Sequence, residues 1–547
     1  MASRRFGVIA TMLFLCALLP PAFLASAQGR WTRIFYLKGK QYGIGLKEAV
    51  AFSGGGYLGM GGNLVNGHDS LLVWRWDSQG NLLWMKQYAQ KADLGELLDN
   101  GDGTFTVTAT NWDHAAETPP IPPWGWVIVC DGSGNILSQW DCALVATGLA
   151  ARARTGDVFL SALYSDNFWR LDGVTGSPVW YKMYIPTANP SPFGEEATAI
   201  RATPDGGFVF SAGSGTSENS AVLVRATADG QVLWAKNYQS DASSDSTPSW
   251  PQVSVTPDGG FLLIANTTSS SVNDTTLFRL DPSGAILWQE RLVSADYPQM
   301  SPAMIWKATE GSDGTILVWG STGYLDGRPG LSEIPFLATL DPAGTPLWCQ
   351  VYESPPISDD SFVDAWPVEG GYLFASAAFD MNVNPNRAGP SLSKVDLSGA
   401  GSPSCNNFPF NIVAQTTTYG SQELPMSVTD FGSFPVNATH ARPKEVARVR
   451  DTVVCGDAII TAVTKLSSPF RLELTGWNFQ DGSVAFINGV QAPSSTLREP
   501  IPPSPHQMKM VIGRGNQLKA LLPKGQPVCI TIQNPDGQQS DCFAFTR

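Results

Sequence analysis

Histidine and charged side chains are scarce in this chain, and the local signatures of catalysis are missing. Its 547 residues include four histidines, and none has a partner at the spacing of a zinc site or a Ser–His pair. There is no Gly-x-Ser-x-Gly elbow, no Gly-rich phosphate loop with a lysine and no Cys-x-x-Cys pair. These absences argue against a metal site or a hydrolase built from neighbouring residues. We therefore expect no cofactor, and we favour a protein without catalytic activity.

Basic residues are too few to balance the acidic ones. Lys and Arg number 35 against 48 Asp and Glu, which gives a formal net charge of -13. Such a surface repels phosphate backbones and anionic lipid. We therefore expect no nucleic-acid partner and no peripheral membrane binding. We also expect no membrane insertion, because no segment beyond residue 27 is apolar enough to span a bilayer.

Long apolar runs are missing beyond the first 27 residues. Within those residues, Arg4 and Arg5 precede a short apolar run, and Ala25-Ser26-Ala27 has the small-x-small pattern of a cleavage site. Two prolines at 20–21 keep the run below the length that spans a bilayer. We predict that residues 1–27 are a signal peptide and that the protein is secreted, periplasmic or at the cell surface.

Glycine and proline are plentiful, and a repeated pattern uses them. Seven times the chain runs through a Gly-rich turn, an apolar run, a loop, a second apolar run, an Asp-x-x-Gly turn and then Trp, often followed by Tyr. A period of roughly 50 residues with strand signals throughout is typical of a β-propeller. The units begin at 54–57, 102–105, 156–159, 205–208, 258–261, 313–316 and 369–372.

Each unit is predicted to form four strands. In the turn between the third and fourth strands, Asp can bond the backbone and Gly supplies the left-handed exit. The Trp that follows and the Tyr four residues later lie on one face of the fourth strand. We interpret these rings as wedges between neighbouring units, and a row of aromatic ligand sites is the alternative. The rings belong to Trp84, Trp180, Trp234, Trp288 and Trp348, and to Tyr88, Tyr184, Tyr238 and Tyr352.

The repeat resembles the propellers of the quinoprotein and WD-type class. The segment from Asp172 to Trp180 is similar to the quinoprotein pattern in which the Trp packs on the next blade, and the other units are one residue shorter. The resemblance implies the fold and not the quinone site. Those enzymes use adjacent cysteines with a Glu/Asn calcium site, and no two cysteines are adjacent here.

The N-terminal segment Trp31–Phe35 matches a fourth strand, although it precedes the first unit. The seventh unit, in contrast, has a degenerate fourth strand at 400–408. We predict a seven-bladed β-propeller over residues 28–408, in which the N-terminal strand closes the ring on unit seven and removes an exposed sheet edge.

From Ala458 the repeat ends and another strand pattern begins. Thr475-Gly-x-Asn-Phe479, Val484-x-Phe-x-x-Gly489 and Asn534-Pro-Asp-Gly537 stand in the order of the IPT/TIG family, with further apolar segments at 518–523 and 530–545. This resemblance implies an immunoglobulin-like β-sandwich over residues 457–547, a spacer or interaction domain without catalysis. The whole chain is then all-β, and residues 409–456 are a Thr-rich connector.

Two disulfides are predicted in the exported chain. If Asn534–Gly537 is a hairpin turn, Cys529 lies directly opposite Cys542, which suits a cross-strand bond. Cys405 and Cys455, which bracket the connector, are the second predicted pair. The pairing of Cys130, Cys142 and Cys349 is left open.

Strand parity divides the loops of the propeller between two faces. The turns after the first and third strands are short and form the tight-turn face, while the loops after the second and fourth strands vary in length and form the long-loop face. We predict that a protein or glycan binds the long-loop face. The alternative is an enzyme that uses the central pocket for carbohydrate or quinone-linked chemistry. The candidate ligand-binding residues are Trp112, Asp113, His114, Trp124, Tyr324, Asp326, Arg328, Asp380, Asn382 and Arg387.

Overall fold

The structure is a computed structural model, and it describes most of the chain from residue 30 to residue 547. The residues outside the description are 1–29, 38–43, 63, 66–67, 112–123, 143–146, 163–165, 188–196, 214–219, 241–246, 269–272, 295–303, 323–333, 353–361, 381–386, 402–406, 410–411, 418, 433–435, 439–441, 447–448, 468, 499–506, 514, 536, 538 and 541. The chain divides into two compact units, one of which is Arg30–Gly456, while the other contains Asp457–Arg547. Among the described residues, no helix has the length and apolar character needed to cross a membrane.

Each repeat of the sequence forms four antiparallel strands, joined by the Asp-Gly turns described above. Units one and two share a continuous strand, Leu82–Asp99, because no turn interrupts the chain there. The fourth place in unit seven is occupied by Trp31–Leu37, which pairs with Arg387–Val395.

In order from unit one to unit seven, the strands have the following bounds. They are Gly45–Ala51, Tyr57–Gly62, Leu64–Val65, His68–Trp76 and Leu82–Asp99; Thr104–Asn111, Trp124–Asp131 and Ile136–Cys142; Thr147–Arg152, Val158–Ala162, Asn167–Leu171 and Pro178–Pro186; Ala197–Ala202, Phe208–Gly213, Ser220–Ala226 and Val232–Ser240; Thr247–Val255, Phe261–Thr268, Asn273–Leu280 and Ile286–Ser294; Met304–Glu310, Ile316–Thr322, Ile334–Leu340 and Pro346–Tyr352; Phe362–Val368, Gly371–Asp380, Arg387–Val395 and Trp31–Leu37.

The first strands of the units contact one another in a closed cycle, from unit one through unit seven and back to unit one. This is the arrangement of a β-propeller, as the repeat predicted. The apolar core lies between neighbouring sheets. In one cluster, Phe159 and Trp180 of unit three pack with Phe208 and Phe210 of unit four, and all four are buried.

The fourth strand of every unit docks on the next unit through a tryptophan and a glycine. The indole ring packs on the Gly that ends the Asp-x-x-Gly turn of the neighbour, and an indole atom lies within 3.2 Å of the position that a Cβ would occupy there. The indoles of four of these tryptophans donate to a carbonyl two residues before that Gly, at 2.9–3.2 Å. This contact confirms the wedge interpretation of the tryptophans. The pairs are Trp31–Gly80, Trp84–Gly134, Trp140–Gly176, Trp180–Gly230, Trp234–Gly284, Trp288–Gly344 and Trp348–Gly399.

The segment between propeller and tail forms short outer strands, which we call the belt. It follows the ring in reverse order, from unit six down to unit one and then to unit seven, and adds an antiparallel strand to the outer edge of each fourth strand. The sequence had predicted a connector without strands over residues 409–456. The belt strands are Asn407–Pro409, Ile412–Thr416, Tyr419–Glu423, Met426–Gly432, Val436–Ala438, Lys444–Glu445 and Val449–Gly456.

Three belt strands place a carboxylate directly opposite a lysine of the fourth strand that they cover. Each lysine stands two residues after the docking tryptophan, and its partner faces it in the strand register. Opposite charges at such cross-strand positions stabilise the pairing and help to set the register. The pairs are Lys86–Glu445 at 3.5 Å, Lys182–Asp430 at 3.7 Å and Lys236–Glu423 at 3.6 Å.

The tail consists of two four-stranded antiparallel sheets around one apolar core. The 518–523 apolar segment belongs largely to a helix, Gly515–Leu521, whose Leu518 is fully buried in that core. In sheet order, the strands are Ile459–Leu466, Arg471–Trp477, Gln507–Ile512 and Ser495–Arg498, and then Val490–Gln491, Val484–Ile487, Pro527–Gln533 and Phe543–Thr546.

The Cys529 and Cys542 sulfurs lie at bonding distance, with Cα atoms 5.2 Å apart. The predicted register was wrong, however, because Cys529 lies opposite Ala544 rather than Cys542. The turn is longer than four residues, since Gln533 forms a bridge with Gln539. Cys405 lies outside the described residues. The thiols of Cys130, Cys142 and Cys349 are buried and free.

Candidate functional site

The first strand of every unit contains a β-bulge, which in most units lies at or near the beginning of the strand. The bulges fall between residues 46 and 48, 94 and 97, 147 and 149, 197 and 199, 249 and 252, 305 and 307, and 362 and 364. A bulge bends the strand and redirects the side chains beside it. In three units the residue that follows the bulge is charged, and these residues are Glu48, Lys307 and Asp364.

A cavity of about 430 Å³ lies on the axis, and the first strands of all seven units line it. Its wall extends from the bulges towards the ends of these strands at the tight-turn face. Apolar residues such as Val50, Ala150 and Val253 alternate with charged ones. The volume is in the range of pockets that hold small molecules. The lining from the first strands comprises residues 48, 50, 96–99, 150–152, 200–202, 252–255, 307–309 and 364.

Lys307 joins the carboxylates of units one and seven. Its Nζ lies 2.8 Å from Glu48 and 3.4 Å from Asp364. Burial alone would lower the pKa of Lys307, but the two carboxylates hold it above its ordinary range. Burial raises the pKa of Asp364 to about 6, although Lys307 acts in the opposite direction. The lysine is therefore charged at neutral pH, and its donors are directed at these two acids.

Glu96 and Asp99 are the other two carboxyls of the cavity. Asp99 accepts a hydrogen bond from the Ser53 hydroxyl at 2.7 Å, whereas no donor among the described residues contacts the Glu96 carboxyl. Burial raises the pKa of Glu96 to about 8, and the negative charge of Glu48 adds to the effect. Arg201 and Lys307 lower the pKa, but by less than burial raises it. Most Glu96 side chains therefore keep their proton at pH 7, and the carboxyl acts as a hydrogen-bond donor there.

Two guanidinium groups face the same cavity from units three and four. Arg201 donates to the carbonyl of Ile200 at 2.7 Å, and Arg152 donates to the Thr106 hydroxyl at 2.9 Å. Neither forms an ion pair with a described residue. Lys307 therefore matches Glu48 and Asp364, and the charges of Asp102 and Asp157 act on Arg152, whereas Arg201 has no ion-pair partner among the described residues. No group of three His, Cys, Asp or Glu side chains within the described regions is placed to hold a metal ion.

Most of the candidate residues predicted from sequence lie outside the described residues. These are Trp112, Asp113, His114, Tyr324, Asp326, Arg328 and Asn382. The backbone is described at three others. Trp124 pairs with Asn111, and Asp380 pairs with Arg387 at the end of a hairpin. The proposed role of the long-loop face stays a prediction.

The axial charges have no short-spaced signature of a catalytic group, so the sequence did not reveal them as a site. Lys307 lies 259 residues from Glu48 and 57 residues from Asp364, and the closed ring brings them together. One signal was present in the sequence. Each residue is a charge within the first strand of its unit, where a propeller faces its axis.

The chain has only weak similarity to known proteins. No protein family matches the chain, and no curated protein matches its sequence. Among solved structures, the chain is similar to the Dos1 propeller, with 13% identity and a TM-score of 0.36 over 68% of this chain and 95% of that one. A protein of unknown function from Dyadobacter fermentans has 12% identity and a TM-score of 0.39 over 67% and 98%. Regucalcin from Agrobacterium tumefaciens has 15% identity and a TM-score of 0.31 over 58% and 93%. Scores this low support no statement about fold or function.

Proposed function

We propose that the protein is an exported, non-catalytic binding protein whose seven-bladed propeller holds a small polar ligand in its axial cavity. The tail, as an IPT/TIG-like module of immunoglobulin type, would act as a spacer or second contact. Secretion, the periplasm and the cell surface are all compatible with the signal-like N-terminus and the Cys529–Cys542 pair.

The observation that carries the proposal is the mixed-charge wall of the axial cavity. Charged side chains at an axis cost free energy unless they bind something or pair with one another. Lys307 pairs with two of the acids, whereas Glu96 and Arg201 line the cavity without an ion-pair partner among the described residues. Such unpaired groups in a concave site are typical of ligand recognition.

A thermal-stability screen tests this function. The intact protein is heated with a panel of glycans, organic acids, amines, quinone and calcium, because a ligand of the folded state must raise Tm. Thr309 lines the cavity, so Thr309→Trp should fill the cavity and abolish the shift. Thr345→Trp, at an exposed turn, is the matched control and should retain the shift. An equal shift in both variants would place the ligand elsewhere.

One observation favours an enzyme as the second candidate. Glu96, with a raised pKa, shares the cavity with the more acidic Asp364. Enzymes that cleave carbohydrates by acid–base catalysis use two carboxyls with different pKa values. Turnover of a stabilising glycan that disappears in Glu96→Gln would establish this function. Binding without turnover supports the first.

The long-loop face is proposed as the contact for a larger partner. The segment 118–123 contains four prolines, and it separates Trp112 from Trp124 along the chain. A stiff segment can present exposed rings at little entropic cost on binding. Replacing Trp124 or Arg328 by Ala should weaken partner binding and leave Tm nearly unchanged. Asp341→Ala should do the reverse, because Asp341 accepts the Ala343 and Thr345 amides of its turn at 2.8–2.9 Å.

A further inference from the structure

The axial cavity contains an arginine and a carboxyl that are close enough to influence each other but are not paired. Arg201 lowers the pKa of Glu96, so the two groups interact through the cavity. They do not form an ion pair, and neither has another charged partner within hydrogen-bond distance among the described residues. Both residues line the axial cavity, so a ligand group in the cavity can lie beside both side chains.

The remaining charges of the cavity centre are already matched. Lys307 directs its ammonium at Glu48 and Asp364, so these acids do not need a cation from a ligand. Arg201 is permanently charged, and protonated Glu96 donates a hydrogen bond at neutral pH. Both unpaired groups are then donors, and a negatively charged acceptor complements them.

We propose that the ligand of the axial cavity is a small organic acid whose carboxylate is bound between Arg201 and Glu96. This inference rests on the proposed function and assigns its ligand class. Planar carboxylates match the fork of a guanidinium, and the charge-assisted bonds that result are among the strong hydrogen bonds of proteins. An acidic sugar and a simple carboxylic acid both carry a carboxylate, so the prediction is that the ligand contains a carboxylate.

Binding of a carboxylate must be coupled to protonation of Glu96. A second negative charge beside this carboxyl raises its pKa further, so the complex takes up a proton wherever free Glu96 is ionised. The pKa of the free site is about 8. Affinity should therefore be constant below pH 7 and should fall up to tenfold per unit as pH rises above 8. A cationic ligand would give the opposite slope, because it favours ionised Glu96.

The experiment is calorimetric titration of the full chain with glucuronate and succinate, with glucose and ethanolamine as neutral and cationic comparisons, between pH 6 and 9. We expect one or both acids to bind and the comparisons not to bind. Glu96→Gln imitates the protonated carboxyl, so it should bind with similar affinity at pH 7 and lose the dependence on pH. Arg201→Gln should weaken binding at least tenfold. Arg154→Gln, at an exposed arginine of a nearby turn, should have no effect.

Three outcomes overturn the ligand class while the axial binding function survives. They are equal binding of glucose, binding of ethanolamine that strengthens with pH, and loss of binding in Glu96→Gln at every pH. If Arg201→Gln does not fold, the pH profile of the wild type and Glu96→Gln decides alone. If no compound of any class gives a shift that Thr309→Trp abolishes, the proposed function itself fails, and the ligand class fails with it.

Discussion

Glu96 determines how the charge of the axial cavity responds to pH. The folded protein holds its proton to about pH 8, whereas an unfolded chain releases it near 4.5. A raised acid pKa means that the folded state binds the proton more tightly. The propeller therefore loses stability as pH rises from 4.5 to 8, and the loss is complete above 8.

Glu96→Gln should remove this loss, because the amide stays neutral. At pH 9 we expect the variant to be more stable than the wild type by on the order of 2 kcal/mol, and at pH 4 we expect no difference. Denaturant unfolding at the two pH values measures this. Glu369→Gln, at an exposed turn, should show no such gain. A variant that is equally stable at both pH values would mean that Glu96 ionises normally.

The docking glycines offer a second test at the level of single residues. Gly284 has φ +76° and lies against the Trp234 ring, whereas Gly259 has φ +83° and open space within 4 Å of the position that a Cβ would occupy. Alanine at either position adopts an unfavourable left-handed backbone, which costs about 1 kcal/mol. Gly284→Ala must also displace the indole, so we expect it to lower the unfolding free energy by about 2 kcal/mol more than Gly259→Ala. Equal losses would show that the Trp–Gly contact contributes nothing.

At the level of elements, the belt strands pair with the outermost strand of every unit of the ring. They cover the second half of the fourth strand in units one to six and all of Trp31–Leu37, so edges that would otherwise be open are paired. Most residues of Tyr419–Glu423 and Met426–Gly432 are exposed, although Tyr419, Met426 and Val428 pack against the core. Backbone hydrogen bonds and the lysine–carboxylate pairs add to these few apolar contacts.

Reversing one charge tests that account. Glu423→Lys places a lysine opposite Lys236, so we expect the strand Tyr419–Glu423 to detach more often, with a penalty of about 0.5–1 kcal/mol. Hydrogen exchange of its amides should accelerate several-fold. The double variant Lys236→Glu with Glu423→Lys restores opposite charges, so its amides should exchange as slowly as those of the wild type. If hydrogen exchange stays fast in the double variant, charge matching has no part in the register.

The repeat in the sequence predicted the turns and tryptophans that recur in the units. It did not predict the belt strands or the axial charges, which do not follow the repeat. The Asp-x-x-Gly turns and docking tryptophans recur once per unit, so several copies confirm each other. Trp140 was missed because it stands six residues after the Gly of its turn, whereas Trp84, Trp180, Trp234, Trp288 and Trp348 stand four residues after theirs. The belt strands are short and mostly exposed, so each contains too few apolar residues for a period to be detected. Glu48 lies 259 residues from Lys307, and closure of the ring is what joins them.

For the whole molecule, the two compact units predict two unfolding transitions. The Cys529–Cys542 bond closes a loop with a sequence separation of 13, for which chain entropy predicts a contribution of about 3 kcal/mol at most. Cys529→Ser with Cys542→Ser should lower the transition of the tail and leave that of the propeller unmoved. Scanning calorimetry distinguishes them, and a shift of both transitions would contradict independent units. Free thiols at both positions in the exported protein would contradict the pairing.

The central claim is that ligand binding takes place on the axis of the ring. The most direct measurement is a crystal structure of the full chain with the organic acid that raises Tm most. The account predicts density for the ligand inside the axial cavity, with its carboxylate within hydrogen-bond distance of Arg201 and Glu96. Density on the long loops with an empty cavity, or on the tail, would contradict it.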